Sequence, residues 1–245
     1  MPETLFLTVN LIDRFLAIKQ VTRRNLQLVG VTAMLIASKY EEIWAPEVRD
    51  YVYISDKAYT REQILSMEKI MLNTLGFKLT VPTPFPFLAR FIKANDTHND
   101  KDFSNYAQYL VELALPEYGA LKYSASLLAA AAVYATNAAT NRPSLFPHAL
   151  AKHSSYSEDH VHACAIDLAR LHRKAPNASL HAVHKKWSHT KYVCGVCSLL
   201  FTHACVAGLT RPPSVPAPWH CWGICLHSCR QAVAPELHQA QKQIP

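Results

Sequence analysis

The sequence contains little glycine, with only six glycines among 245 residues. Phosphate-binding loops and glycine-turned β-proteins need glycine at several fixed positions, so both classes are poorly supported. Apolar residues make up 50% of the chain and charged residues 18%, which excludes a disordered tail or a coiled coil for the chain as a whole. The composition therefore favours a globular fold that is not built on glycine turns.

Cysteine is almost lacking before residue 193, where only Cys164 occurs, as is expected of a reduced intracellular protein. The six other cysteines lie in segment 193–245, which is also rich in proline and loses the helical periodicity. Cys194 and Cys197 form a C-x-x-C, but the later spacings match no zinc motif, so we predict no metal site. The favoured interpretation is a largely disordered tail from a retained intron or shifted frame; an isoform-specific tail and a metal site are the alternatives.

Long hydrophobic runs suited to a membrane are also lacking. The uncharged span 123–141 carries Ser, Thr and Asn among its alanines, which favours a buried helix. The span 192–210 contains His203 and Gly208 and is marginal as a membrane helix. We therefore expect no membrane association.

Helical patterns, by contrast, run through residues 1–192 and predict an all-α fold. Leu5, Val9, Ile12 and Leu16 form one stripe of a first helix. Thr60 and Gln63 fit a capping box for a helix that Gly76 would stop. The other predicted helices cover 26–37, 46–52, 84–94, 102–115, 124–140, 145–152, 157–173 and 178–188.

Three prolines alternate in the segment 81–87, VPTPFPF, and predict an extended linker. We place a domain boundary there. The predicted organisation is a helical domain at 1–80, a second helical domain at 81–192 and the tail at 193–245.

Four segments carry a family resemblance: 3–16, ETLFLTVNLIDRFL; 34–48, MLIASKYEEIWAPEV; 53–79; and 80–94, TVPTPFPFLARFIKA. Together they resemble the cyclin box of B-type mitotic cyclins, particularly those of plants. Residues 102–192 resemble, less strictly, the second cyclin fold of the same family. The resemblance implies two tandem cyclin folds.

The same resemblance implies a non-catalytic regulatory subunit. Cyclins bind and activate a cyclin-dependent serine/threonine protein kinase, and the mitotic type acts at the G2/M transition. The implied location is the nucleus and cytoplasm, and no cofactor, nucleic acid or membrane is implied.

The kinase-contacting lysine and glutamate of the family match Lys39 and Glu68. The two residue types suit the role, because an ammonium can donate to backbone carbonyls and a carboxylate can accept from amides of a docked helix. The alternative is an ordinary surface Lys and Glu. The family's apolar contacts fall on Ile36, Tyr40, Leu72, Phe77 and Leu79. Of these, Ile36 and Leu72 could equally be core, whereas aromatic residues at helix ends often anchor interfaces.

Cyclins also dock substrates through short Arg-x-Leu peptides, and one half of that groove matches Leu26 and Gln27. The other half lies on the family's first box helix, which this sequence does not contain, nor does it contain the amino-terminal degron region. We therefore expect weak substrate docking and a marginally stable first fold, because buried helix anchors contribute energies comparable to a domain's whole stability. Arg142 to Leu145 reads R-x-x-L but falls inside the second fold, where a structural role is expected.

Three other functions stay open. A cyclin-fold transcription factor would use the net charge of +7 to bind DNA, but residues 1–80 are nearly neutral and no basic stripe is evident. No phosphate loop, nucleophile elbow or kinase motif supports an enzyme. A truncated cyclin fragment with weakened or no kinase activation is the main alternative.

Overall fold

The computed structural model describes residues 1–188, and within them all regular structure is helical, which confirms the predicted all-α fold. The first unit contains four helices: α1 (Pro2–Ile18), α2 (Arg23–Glu41), α3 (Val48–Ile54) and α4 (Arg61–Thr74). The second contains α5 (Pro84–Ala94), α6 (Lys101–Ala114), α7 (Ala125–Ala139), α8 (His148–Ser154), α9 (Glu158–Lys174) and α10 (Ala182–Trp187), with 3₁₀ turns at Tyr118–Lys122 and Ala175–Asn177. The tail prediction for 193–245 lies outside the described residues.

Helix α2 is the central helix of the first unit. One of its sides packs against α1 and α4 through Val29, Ala33 and Ala37. Another packs against α3 and α4 through Leu28 and Leu35. Because α2 is covered on these sides by its neighbours, its apolar run is long, as the sequence indicated.

The second unit surrounds the alanine-rich helix α7. Most of α7 is fully buried between α5, α6 and α9. Its small side chains let the neighbouring helices approach closely, and larger residues of those helices, such as Phe91, Tyr106 and Leu168, fill the core. The first unit contributes Phe6 to this core, where its ring stacks on Phe85 at a centroid distance of 6.3 Å.

The proline-rich segment is shorter as a linker than predicted. Only residues 81–83 are extended, and α5 begins at Pro84. Pro84 and Pro86 both fit the first turn of α5 because the first backbone N–H groups of a helix have no intrahelical acceptor to lose. Alternating prolines therefore mark a helix start here as well as a linker.

Helix α5 begins where the sequence predicted, but four other helix starts differ by two or more residues; α10, for example, begins at Ala182 instead of 178. The capping box of α3 uses Glu47 and Asp50, so Pro46 precedes the helix instead of opening it. Helix α8 begins after Pro147, three residues later than predicted. Helix α2 begins at Arg23, three residues before the predicted start. Its first turn is charged, so the apolar periodicity on which the prediction depended begins one turn after the helix itself. By contrast, the capping box of α4 and the stop at Gly76 are confirmed.

None of the helices among residues 1–188 is long and apolar enough to cross a membrane. The same part of the chain has no cluster of three or more His, Cys, Asp or Glu side chains that could hold a metal ion. The C-x-x-C of Cys194 and Cys197 lies outside the described residues.

Candidate functional site

Lys39 and Glu68 meet on the surface of the first unit. Lys39 lies in the last turn of α2, where its charge complements the negative end of the helix dipole, and Glu68 lies in the middle of α4. The Lys39 Nζ donates to Glu68 Oε1 across 2.7 Å. The lysine side chain is 47% exposed and the glutamate 14%. The pair is thus already formed in the free chain, with donors on the ammonium still facing solvent.

Two exposed aromatic side chains lie at the ends of the helices that carry this pair. Tyr40 follows Lys39 on α2, is 45% exposed, and forms a hydroxyl hydrogen bond of 2.5 Å with Thr80. Phe77 follows the end of α4 and is 64% exposed. Exposed aromatic residues beside a charged pair are the composition expected at the centre of a protein interface.

A tight turn after α4 presents Phe77. The N–H of Phe77 donates to the Leu72 carbonyl at 3.0 Å and that of Gly76 to the Asn73 carbonyl at 3.2 Å, which together form a Schellman motif. Both Gly76 and Phe77 have left-handed backbone conformations, with φ of 58° and 56°. A non-glycine residue in that region is uncommon and often lies at a functional position.

The remaining predicted contact residues lie deeper. Leu72 and Leu79 are half-buried at the edge of the core. Ile36 is only 3% exposed and packs in the core beneath this surface, so of its two roles the structure favours the core. Ile36 therefore anchors α2, the helix that also carries Lys39 and Tyr40, to the core.

Two further residues belong to this part of the surface and were missed in the sequence. Ile43 and Trp44 follow α2 in the loop to α3 and are 93% and 90% exposed. The signal was available, because a short loop between two helices has no packing need for an isoleucine and a tryptophan that directly follow two glutamates. We call the set Lys39, Glu68, Tyr40, Phe77, Ile43 and Trp44 the α2–α4 surface.

Leu26 and Gln27 are exposed in the first turn of α2. Twelve residues separate Gln27 from Lys39, which is about 18 Å along a helix axis. A cavity of about 360 Å³ lies in the same turn and is lined in part by Leu28, Tyr59 and Gln63. The two predicted sites therefore occupy opposite ends of one helix.

The R-x-x-L sequence has structural contacts. Arg142 pairs with Asp100 at 3.3 Å and stacks on the ring of Phe103 at 5.2 Å. Leu145 packs against the core of the second unit, and its carbonyl accepts a hydrogen bond from Asn137.

Comparison with known proteins defines the family. A family model of the cyclin N-terminal domain matches residues 1–80, and one of the cyclin C-terminal domain matches residues 82–199. The chain belongs to the cyclin family. This cyclin is 51% identical over 186 residues to the G2/mitotic-specific cyclin S13-7 of Glycine max, and the match covers 76% of the chain and 72% of that relative. The resemblance to plant mitotic cyclins is thus confirmed.

Other relatives agree. The cyclin is 50% identical to Cyclin-B2-2 of Arabidopsis thaliana, covering 78% of the chain and 44% of the relative. It is 48% identical to Cyclin-B1-5 of Oryza sativa subsp. japonica, covering 77% and 41%. The chain therefore spans less than half of these two relatives. A viral cyclin from herpesvirus saimiri shares the fold, with a TM-score of 0.61, 23% identity and coverage of 70% of this chain and 77% of that one.

Proposed function

We propose that this cyclin binds and activates a cyclin-dependent protein kinase through the α2–α4 surface, as a non-catalytic regulatory subunit. The observation that carries the proposal is the Lys39–Glu68 pair, which is formed at 2.7 Å on two helices that are each followed by exposed apolar side chains. The relatives named as G2/mitotic-specific cyclins support a role at the G2/M transition. On the same grounds we propose that it acts in the nucleus and cytoplasm.

The chemistry of the surface suits a docked helix. The ammonium of Lys39 has three donors, and one of them is used by Glu68. The others can donate to backbone carbonyls of a partner helix, while the carboxylate can accept from its amide groups. Tyr40, Phe77 and Trp44 would exclude water around the pair, which strengthens these hydrogen bonds.

The Lys39–Glu68 bond already exists in the free chain, which also favours affinity for the kinase. A lysine side chain normally loses much rotamer freedom on binding, but the bond to Glu68 already restricts Lys39. The free chain therefore presents a prepared charge pair.

The test is a titration of the full chain against a purified cyclin-dependent kinase, with activation of the kinase measured in parallel. Lys39→Ala and Glu68→Ala should each weaken binding by about thirtyfold to several thousandfold, the cost of truncating one partner of a desolvated pair. Lys122→Ala is the matched control, because Lys122 forms a similar ion pair with Asp167 at 2.9 Å in the second unit. The control should bind like the parent.

Two results would count against the proposal. Binding that neither Lys39→Ala nor Glu68→Ala weakens would remove the α2–α4 surface as the contact. Binding without activation of the kinase would favour the alternative of a competing cyclin fragment.

Substrate docking is the finer part of the proposal. We assign Leu26 and Gln27 to a surface for Arg-x-Leu substrate motifs, because both are exposed on α2; their chain neighbours Asn25 and Leu28, but not they themselves, line the cavity. The end of α3 adds Tyr53 and Ile54, which are 77% and 62% exposed. Tyr59, in the loop between α3 and α4, fixes that loop to α2 by donating to the Arg24 carbonyl at 3.1 Å.

A further inference from the structure

Arg14 of α1 reaches the turn that presents Phe77. Its Nη1 donates to the backbone carbonyl of Lys78 across 2.9 Å. The same nitrogen lies 3.5 Å from the Oδ1 of Asn10, one turn earlier on α1, which helps to orient the guanidinium. Arg14 forms no ion pair with a carboxylate among residues 1–188, so this carbonyl is its main acceptor there.

The turn needs such a contact because its backbone is unusual. Phe77 has a φ of 56°, a region that a residue with a large side chain keeps only when its surroundings hold it there. The Schellman bonds fix the N–H groups of Gly76 and Phe77, and Lys78 donates its own N–H back to Leu75 at 3.1 Å. The carbonyl of Lys78 is left for a partner outside the turn, and Arg14 provides the donor.

Thr80, two residues after Lys78, is held by the α2–α4 surface itself, through its hydrogen bond with Tyr40. Two tethers, one from α1 to Lys78 and one from α2 to Thr80, therefore hold the chain directly after Phe77. The tether from α1 comes from a residue outside that surface.

We infer that Arg14 is a positioning residue for kinase binding, which acts by fixing the backbone that presents Phe77. The expected loss of kinase affinity rests on the proposed function, but the expected loosening of the turn that carries Phe77 does not. Losing the bond should let Phe77 leave its exposed position, so part of the aromatic contact would be lost on docking.

The first experiment measures kinase affinity in a double-mutant cycle. Arg14→Met keeps most of the side-chain stem and removes the donors; it should weaken binding roughly three- to tenfold, and Arg14→Lys should restore part of the loss. In a Phe77→Ala background, Arg14→Met should change affinity less than about twofold, because the two residues act through one contact. Lys19→Met, which removes an exposed cation at the end of the same helix, is the control and should bind like the parent.

Losses from Arg14→Met and Phe77→Ala that simply multiply would overturn the inference, since a general structural effect does not depend on Phe77. So would an affinity within twofold of the parent for Arg14→Met when Phe77→Ala weakens binding. If Lys39→Ala and Phe77→Ala are both silent, the proposed function fails instead.

The second experiment needs no kinase. Amide hydrogen exchange over residues 76–80 of the free chain should become several-fold faster in Arg14→Met and stay unchanged in Lys19→Met. Equal exchange in Arg14→Met and the parent would overturn the inference whatever the kinase does.

Discussion

The two units of this cyclin differ in how deeply their key polar groups lie. The first unit places Lys39 and Glu68 at the surface, on helices whose ends carry exposed aromatic side chains. The second unit buries Glu112, Asn137 and His172, and each of them forms internal hydrogen bonds. Surface ion pairs occur in both units, but these three buried groups hold helices together, whereas Lys39 and Glu68 are accessible to a partner.

Glu112 is the clearest case in the second unit. It is fully buried on α6 and accepts from Lys186 Nζ at 2.8 and 2.9 Å and from Trp187 Nε1 at 2.8 Å. Gln108 adds a further hydrogen bond of 3.0 Å. One carboxylate therefore fastens α10, the last described helix, to the core.

The largest effect is expected from removing this carboxylate. Glu112→Ala should lower the free energy of unfolding by about 2–4 kcal/mol, because it removes the ion pair with the half-exposed Lys186 and leaves the buried indole N–H of Trp187 without its acceptor. Asp102→Ala, an exposed acid on the same helix, is the control. Chemical denaturation measures both. A loss in Glu112→Ala no larger than in the control would show that the second unit does not depend on its buried charge.

The same comparison can be sharpened by pH. Burial, with a smaller effect from nearby His184, lowers the pKa of His172 to about 4 from its ordinary 6.5. The ring lies between Tyr106 and Tyr109, and its Nδ1 shares a hydrogen bond of 3.1 Å with the Tyr109 hydroxyl. The neutral ring thus fits the folded state and the charged ring does not.

Because the unfolded chain binds this proton more readily, stability should fall as the pH drops from 6.5 towards 4. Between pH 6.5 and 5 the contribution of His172 is a loss of about 2 kcal/mol. His172→Phe should remove this part of the slope in denaturation curves measured at several pH values. The pKa of His184 is also lowered by burial, so some slope should stay. An unchanged slope in His172→Phe would assign the acid sensitivity to other groups.

Local features of this fold could be predicted from sequence, and distant pairings could not. The capping box at Thr60 and Gln63 and the stop at Gly76 depend on neighbours within a few residues, and both are present. The bounds of α5 were also predicted, at 84–94, although proline suits both a linker and a first helical turn and the linker was therefore drawn too long. The elements were therefore predictable wherever the signal was short-range.

The site shows the same limit. Sequence resemblance identified Lys39 and Glu68, but not that they bond to each other, because 29 residues separate them. Arg14 was missed for the same reason, since its acceptor lies 64 residues away. Ile43 and Trp44 needed no long-range knowledge, because two large apolar residues directly after Glu41 and Glu42 in a short loop could have revealed them.

The smallest expected effect compares two glycines of the first unit. Gly76 ends α4 with a φ of 58° and Gly30 lies inside α2, and an added Cβ would meet no atom within 4 Å at either position. Packing is therefore equal at the two sites, and only backbone conformation differs. Gly76→Ala should cost about 1 kcal/mol of stability, because alanine disfavours the left-handed region. Gly30→Ala should gain up to about 1 kcal/mol, since alanine favours a helix interior.

Thermal unfolding of the two variants should thus shift in opposite directions from the parent. The direction of the stability change in Gly76→Ala also bears on the binding surface, because Phe77 directly follows Gly76 in the same Schellman turn. If Gly76→Ala is as stable as the parent, the turn is not held in the left-handed conformation, and the two tethers from Arg14 and Tyr40 would have no strained backbone to hold. A lower thermal stability in Gly76→Ala together with a higher one in Gly30→Ala would instead show that the backbone of the first unit requires a left-handed residue directly before the exposed Phe77.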